Sequence, residues 1–160
     1  MNQNLLVSKR IDLAILIAII LLGLFFRTYN LNKQPLGYFW DEGYYAKVIK
    51  NMYAEPHNFL YPTYINGPDL HYYDNIFPSG RILMNIHNAF FWAGALSAKI
   101  FGMNEIVLKL PSVIFGTLTI LPVYYLTKTL YKKKTAILAS FLFAAYPLHI
   151  MLSRTVLLEA

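Results

Sequence analysis

Cysteine is absent from the chain, and with it go disulfides, thiolate metal sites and cysteine nucleophiles. Charge is scarce as well. Only 14% of the 160 residues are charged, while 57% are hydrophobic; soluble domains carry about a quarter charged residues. That shortfall excludes an ordinary soluble surface and directs attention to membrane spans and orientation. Acidic residues are the scarcer sign, eight against fourteen basic ones, for a net charge of +6. Such a balance is one mark of nucleic-acid binders, but here the positive residues are scattered. The single dense cluster, Lys132-Lys133-Lys134, lies between two apolar segments, where it marks the cytoplasmic side of a membrane protein. No nucleic-acid partner is expected. Internal repeats and low-complexity tracts are lacking too.

What the chain does have is long apolar runs. The first extends from Ile11 to about Leu31, with Leu13 to Phe26 uncharged and Lys9 and Arg10 just before it. Arg27, Tyr29 and Asn30 follow, with no small-x-small cleavage site, so an uncleaved span is expected rather than a signal peptide. A second run covers about residues 106–130 with Lys109 inside it, and a third covers 135–152 with no charge. Each has roughly the ~20 residues that cross ~30 Å of hydrocarbon. A fourth segment, 82–101, is apolar but carries Asn85, His87, Asn88 and Lys99. Were it a span, the triple lysine would fall outside, against the positive-inside rule. As an interfacial amphipathic helix it leaves the lysines inside. The expected fold class is therefore an all-α polytopic membrane protein with three transmembrane helices. The N-terminus is cytoplasmic, the first loop, about 32–105, is large and external, and the cell membrane is the expected site.

That loop holds six of the eight acidic residues and is too aromatic for disorder. Within it Tyr45, Val48, Ile49, Met52 and Tyr53 recur at helical spacing, predicting a second interfacial helix over about 41–55. The helix opens in "FWDEGYYAK", with Asp41 and Glu42 side by side. Neighbours on a helix point ~100° apart, so one can face a cavity while the other braces or caps the helix start. A carboxylate desolvated at the membrane surface becomes more basic and can act as a general base. Asp74 with His71, in "HYYDN", could hold a divalent cation or be a solvated loop pair, since the spacing repeats no strong metal motif. His87 and His149, on apolar segments, are expected to pack rather than to ligate. Arg154, at the external end of a span, can snorkel or meet a phosphate; Lys109 admits the same two readings. Pro111, Pro122 and Pro147 imply kinks.

Four stretches in order resemble the N-terminal part of the GT-C glycosyltransferases, in the branch of the protein O-mannosyltransferases and lipid A aminoarabinose transferases. They are "FFRTYNL", "WDEGYYA", "AKIFGMNEIVLKLPSVIFGTLTILPVYYLTKTLYKKKTAILAS" and "YPLHIMLSRTVLLEA". The resemblance covers nearly all of the chain from about residue 20. It implies an inverting enzyme that moves a sugar from a polyprenyl-phosphate donor to a hydroxyl of a protein, lipid or glycan on the external face. Asp41 then matches the first acidic motif, as catalytic base or acceptor-orienting carboxylate, with Glu42 supporting it. Arg154 and Glu159 match the second motif, at the donor phosphate or an associated cation, and Lys109 falls where a phosphate contact is implied. Asp74 and His71 become candidate ligands of a divalent cation. Glu159 stands where the family usually has Asp, and Lys109 where it tends to have Arg. Family members have many more spans, so the chain is expected to be the start of a larger protein, inactive alone. The competing functions are a membrane transporter and a non-catalytic membrane subunit.

Overall fold

The computed structural model describes residues 3–33, 40–54 and 88–156. All the regular structure there is helical: α1 (Gln3–Thr28), α2 (Trp40–Ala54), α3 (Asn88–Phe101), α4 (Glu105–Leu118), α5 (Ile120–Leu130), α6 (Lys133–Ala144) and α7 (Pro147–Leu152). The expected interfacial helix at 41–55 is α2. The one expected at 82–101 is helical over 88–101, and its first six residues lie outside the described ones.

Among the described residues, two stretches are long and apolar enough to cross a membrane, Ile11–Thr28 and Glu105–Leu130. The first is most of α1. It buries one stripe, Leu16, Ile19, Gly23 and Arg27, at the three- and four-residue spacing of a single helix face. Its other faces expose Ile11, Leu13, Ile17, Leu21 and Phe25, the inverse of a soluble helix and a surface suited to lipid. α1 ends at Thr28, and in the turn that follows Asn30 has a left-handed φ of 53°, a conformation asparagine tolerates at helix ends.

The second stretch is α4 and α5 in near continuity. The Asn104 side chain caps it by accepting from the Val107 N–H at 3.0 Å. It is interrupted at Thr119, one turn before Pro122, which has no N–H to return to the preceding turn. The expected third span, 135–152, is two helices rather than one. α6 is 12 residues and α7 is six, separated at Ala145 and Tyr146. Pro147 explains the break, because it cannot continue α6 yet suits the first position of α7.

α5 packs on α6 and α1 lies across α4 and α6, joined by two small apolar clusters, Leu16–Tyr124–Ala136 and Ile19–Ile120–Ala144. At one end Lys133 forms an ion pair with Asp12, so the basic turn sits beside the start of the apolar stretch Ile11–Thr28. At the other end α2 lies against α3, with Tyr45, Val48, Ile49 and Met52 meeting Phe90, Phe91 and Ala95. Tyr53, expected on the same face, is exposed. Leu108 of α4 and Val156 of the tail close this cluster.

Candidate functional site

The break between α6 and α7 leaves helix-end carbonyls to be satisfied. Arg27 reaches over from α1, fully buried. Its Nη1 donates to the carbonyl of Ala144 at 3.2 Å and to that of Gly23 at 2.8 Å. Its Nη2 donates to His149 Nδ1 at 2.7 Å. A guanidinium has only donors, so Nδ1 is the acceptor and the imidazole is neutral with its proton on Nε2. That nitrogen faces Thr119 Oγ1 at 3.4 Å, while Thr119 itself donates to the Gly116 carbonyl. The His149 ring lies 4.4 Å from that of Phe143, packed as expected for a histidine on an apolar segment. Two glycines permit this closeness. A Cβ on Gly116 would lie 2.2 Å from Ser153 Oγ, and one on Gly23 would lie 2.6 Å from Ile120 Cδ1.

Arg154 completes a reciprocal arrangement. Arg27 leaves α1 to cap the end of α6, and Arg154 follows α7 to cap the end of α1. Its Nη1 donates to the carbonyls of Phe26 (2.9 Å) and Tyr29 (2.7 Å), and its Nη2 to that of Asn30 (3.1 Å). A cation at a helix C-terminus also complements the helix dipole. Partial burial lowers the Arg154 pKa from its ordinary value, though arginine stays charged in proteins.

Glu42 lies in the first turn of α2 with no exposed surface. Its Oε1 accepts the Val156 N–H at 2.8 Å, a bond across 114 positions of chain. Asp41 precedes it in the same turn, with its side chain outside the described residues. Glu159, Asp74 and His71 also lie outside them. Among the described residues, the start of α2 is thus joined to the tail through Glu42 and Val156.

Lys109 sits apart from the arginines. It is buried, and its Nζ donates to Glu105 Oε1 at 2.7 Å, where Glu105 is half exposed. Nearby, an open cleft of about 510 Å³ runs between α2 and the start of α4, lined by Lys47, Lys50, Asn51, Asn104, Glu105 and Leu108 among others. Among the described residues no group of three or more His, Asp or Glu gathers as a metal site would require. Arg27 and His149 join α1 to the α6–α7 break, and neither is a site residue expected from sequence. The available signal was a charge directly after an uncharged run, in "FFRTYNL".

Comparison with known proteins agrees with the resemblance. The family model described as dolichyl-phosphate-mannose-protein mannosyltransferase matches residues 89–160, from α3 to the tail. Two curated proteins of Bacillus subtilis (strain 168), "Putative mannosyltransferase YycA" and "Putative mannosyltransferase YkcB", are each 26% identical over 148 residues. Those alignments take in 92% of this chain but only 19% and 18% of the relatives. The chain spans about a fifth of the length of the curated relatives it matches. No solved structure matches it. Together these findings show a likeness, over part of their length, to proteins described as mannosyltransferases.

Proposed function

We propose that this chain is the N-terminal part of a membrane glycosyltransferase that takes a sugar from a polyprenyl-phosphate donor, in an inverting reaction at the external face, and delivers it to a hydroxyl of a protein, lipid or glycan. Activity belongs to the complete protein, since the chain covers a small share of its relatives. The observation that carries the reading is the Glu42–Val156 hydrogen bond. It joins the two segments that the resemblance assigns to the acidic motifs, on top of a family match that includes the second of them.

In this mechanism Asp41 is the catalytic base. It takes the proton of the acceptor hydroxyl as that oxygen bonds to the anomeric carbon. The bond from that carbon to the phosphate oxygen breaks, and the polyprenyl phosphate departs with the electron pair. A phosphate is already a good leaving group, so activating the nucleophile and steadying the departing anion are the two tasks left. Arg154 brings fixed positive charge to this end, and Glu159 is placed with it on the donor side. Lys109 receives no step, because Glu105 already takes its charge. The described carboxylates do not fit a divalent cation, with Glu42 committed to Val156 and Glu105 to Lys109. A cation at the phosphate would draw on Asp74, His71 and Glu159, and no step is routed through it.

Three crossings are proposed, with α6 and α7 together making the last. Asp12 and Glu105 lie at the starts of the apolar stretches Ile11–Thr28 and Glu105–Leu130, and Glu42 lies in the first turn of α2; a transporter would place such groups on broken helices near the midplane. The test uses the complete protein in vesicles with a series of polyprenyl-phosphate hexoses and pentoses, the mannosyl donor first. Acceptor-dependent release of polyprenyl phosphate is expected, with an inverted anomeric product. Turnover of nucleotide sugars alone, or a retained configuration, would contradict it.

A further inference from the structure

We propose that Glu42 is a positioning residue: its buried carboxylate holds the backbone at Val156 and thereby ties the start of α2, beside Asp41 in sequence, to the tail that follows Arg154. This inference rests on the transferase reading above. It concerns a residue that sequence pairs with Asp41 as if the two shared one task.

The geometry separates them. Glu42 has no exposed surface, and its Oε1 receives the Val156 N–H at 2.8 Å. Burying a carboxylate is costly unless it is strongly hydrogen-bonded, and a backbone N–H on a carboxylate is among the stronger such bonds. A group enclosed in this way has no access to a hydroxyl arriving from outside. Asp41 immediately precedes it in the sequence, and it is the residue to which the resemblance gives the proton transfer. The pair therefore divides the work, with Asp41 for the proton and Glu42 for the geometry.

The tail is held at successive residues on the way to this tie. Ser153 Oγ donates to the His149 carbonyl at 2.6 Å. Arg154 is bound to three carbonyls at the end of α1. Thr155 Oγ1 donates back to the Leu152 carbonyl at 2.6 Å. Val156 then sits fully buried in the cluster of α2, α3 and α4. Glu159 follows three residues later, within about 10 Å of chain at ~3.3–3.6 Å per residue. Asp41 is a single residue from Glu42. The Glu42–Val156 hydrogen bond thus ties the start of α2 to the tail, and small misplacements of reacting groups cost as much as 10²-fold in rate.

The experiment compares Glu42→Ala, Glu42→Gln and Asp41→Asn in the complete protein, reading kcat, donor KM and amide hydrogen exchange over residues 153–160. Glutamine keeps a carbonyl oxygen to accept the Val156 N–H; alanine keeps nothing. Expected are a kcat fall of about tenfold or more for Glu42→Ala, following the misplacement scale above, with faster exchange at Val156. Glu42→Gln recovers most of the rate and the slow exchange, while Asp41→Asn loses transfer with exchange unchanged. A glutamine variant as inactive as Asp41→Asn overturns the proposal by making Glu42 a charge or proton carrier. So does an alanine variant with normal kcat and normal exchange. If Glu42→Ala fails to reach the membrane, Glu42→Gln decides alone. If the wild type transfers nothing from any polyprenyl phosphate, the transferase reading fails, whereas the exchange comparison still tests the tie.

Discussion

Replacing Arg27 by methionine removes a guanidinium that serves three acceptors at once, and the loss can be sized from its partners. The Gly23 carbonyl lies one turn back in α1, where the helix's own N–H ladder serves it too. The Ala144 carbonyl and His149 Nδ1 depend on Arg27 directly, at 3.2 and 2.7 Å. A buried acceptor left bare costs about 1–3 kcal/mol, while interhelical hydrogen bonds in membranes average about 0.6 and reach about 1.7 kcal/mol. Ser153 Oγ, 3.3 Å from Nδ1, can recover part of the second loss. Methionine also spares the protein the cost of enclosing a cation. The two acceptors together give a net destabilisation of about 2 kcal/mol. Lysine at this position reaches one acceptor but cannot fork to two, so it falls between. The assay is the thermal unfolding midpoint of the detergent-solubilised complete protein, for Arg27→Met, Arg27→Lys, His149→Leu and the double variant Arg27→Met/His149→Leu. The midpoint should drop by a few degrees for methionine and by less for lysine. Because Arg27 and His149 share one bond, the double variant should cost less than the sum of the singles. An unchanged midpoint for Arg27→Met, or strict additivity, would refute the idea that this pair bolts α1 to the α6–α7 break.

Other perturbations separate the roles of neighbouring groups. Lys109→Met removes a buried cation along with its partner's need for it, so stability should change by less than about 1 kcal/mol; Glu105→Gln strands the buried lysine and should cost about 1–3 kcal/mol, read as midpoint shifts. The same Lys109→Met variant should keep its donor KM, and a marked rise would restore the lysine to the phosphate. Gly116→Ala forces a Cβ to 2.2 Å from Ser153 Oγ and should destabilise by about 1–3 kcal/mol through overpacking, with Ser153→Ala recovering part of the loss. A single cysteine at position 133, in a background without others, should label from the cytoplasmic side, together with one at position 9. Labelling of 133 from outside would mean that the segment 82–101 crosses the membrane.

Much of this arrangement was legible in the chain because it is local. The spacing of Tyr45, Val48, Ile49 and Met52 announces α2 and its buried face, and the structure buries all four. Pro147 announces a kink, and becomes a full break because α7 starts anew on it. The uncharged run from Leu13 to Phe26 announces α1, whose outward side chains remain apolar. The contacts that gather the site are not local. Arg27 is indistinguishable by sequence from a snorkelling residue at a span end. Its burial depends on the Ala144 carbonyl being freed 117 positions away. Arg154 likewise could have served a phosphate, a lipid headgroup or a helix end, and the carbonyls it meets are open to it because α1 ends at Thr28. Glu42 and Asp41 look alike as a pair, and only the long-range bond to Val156 gives Glu42 a separate task.

The most direct measurement is sugar transfer from a polyprenyl-phosphate donor by the complete protein with Asp41 changed to asparagine, at matched membrane levels. General-base catalysis contributes about 10²–10⁴-fold, so the variant should fall by at least about a hundredfold while folding and reaching the membrane normally. Turnover equal to that of the wild type would contradict the assignment of this end of the molecule as the site of transfer.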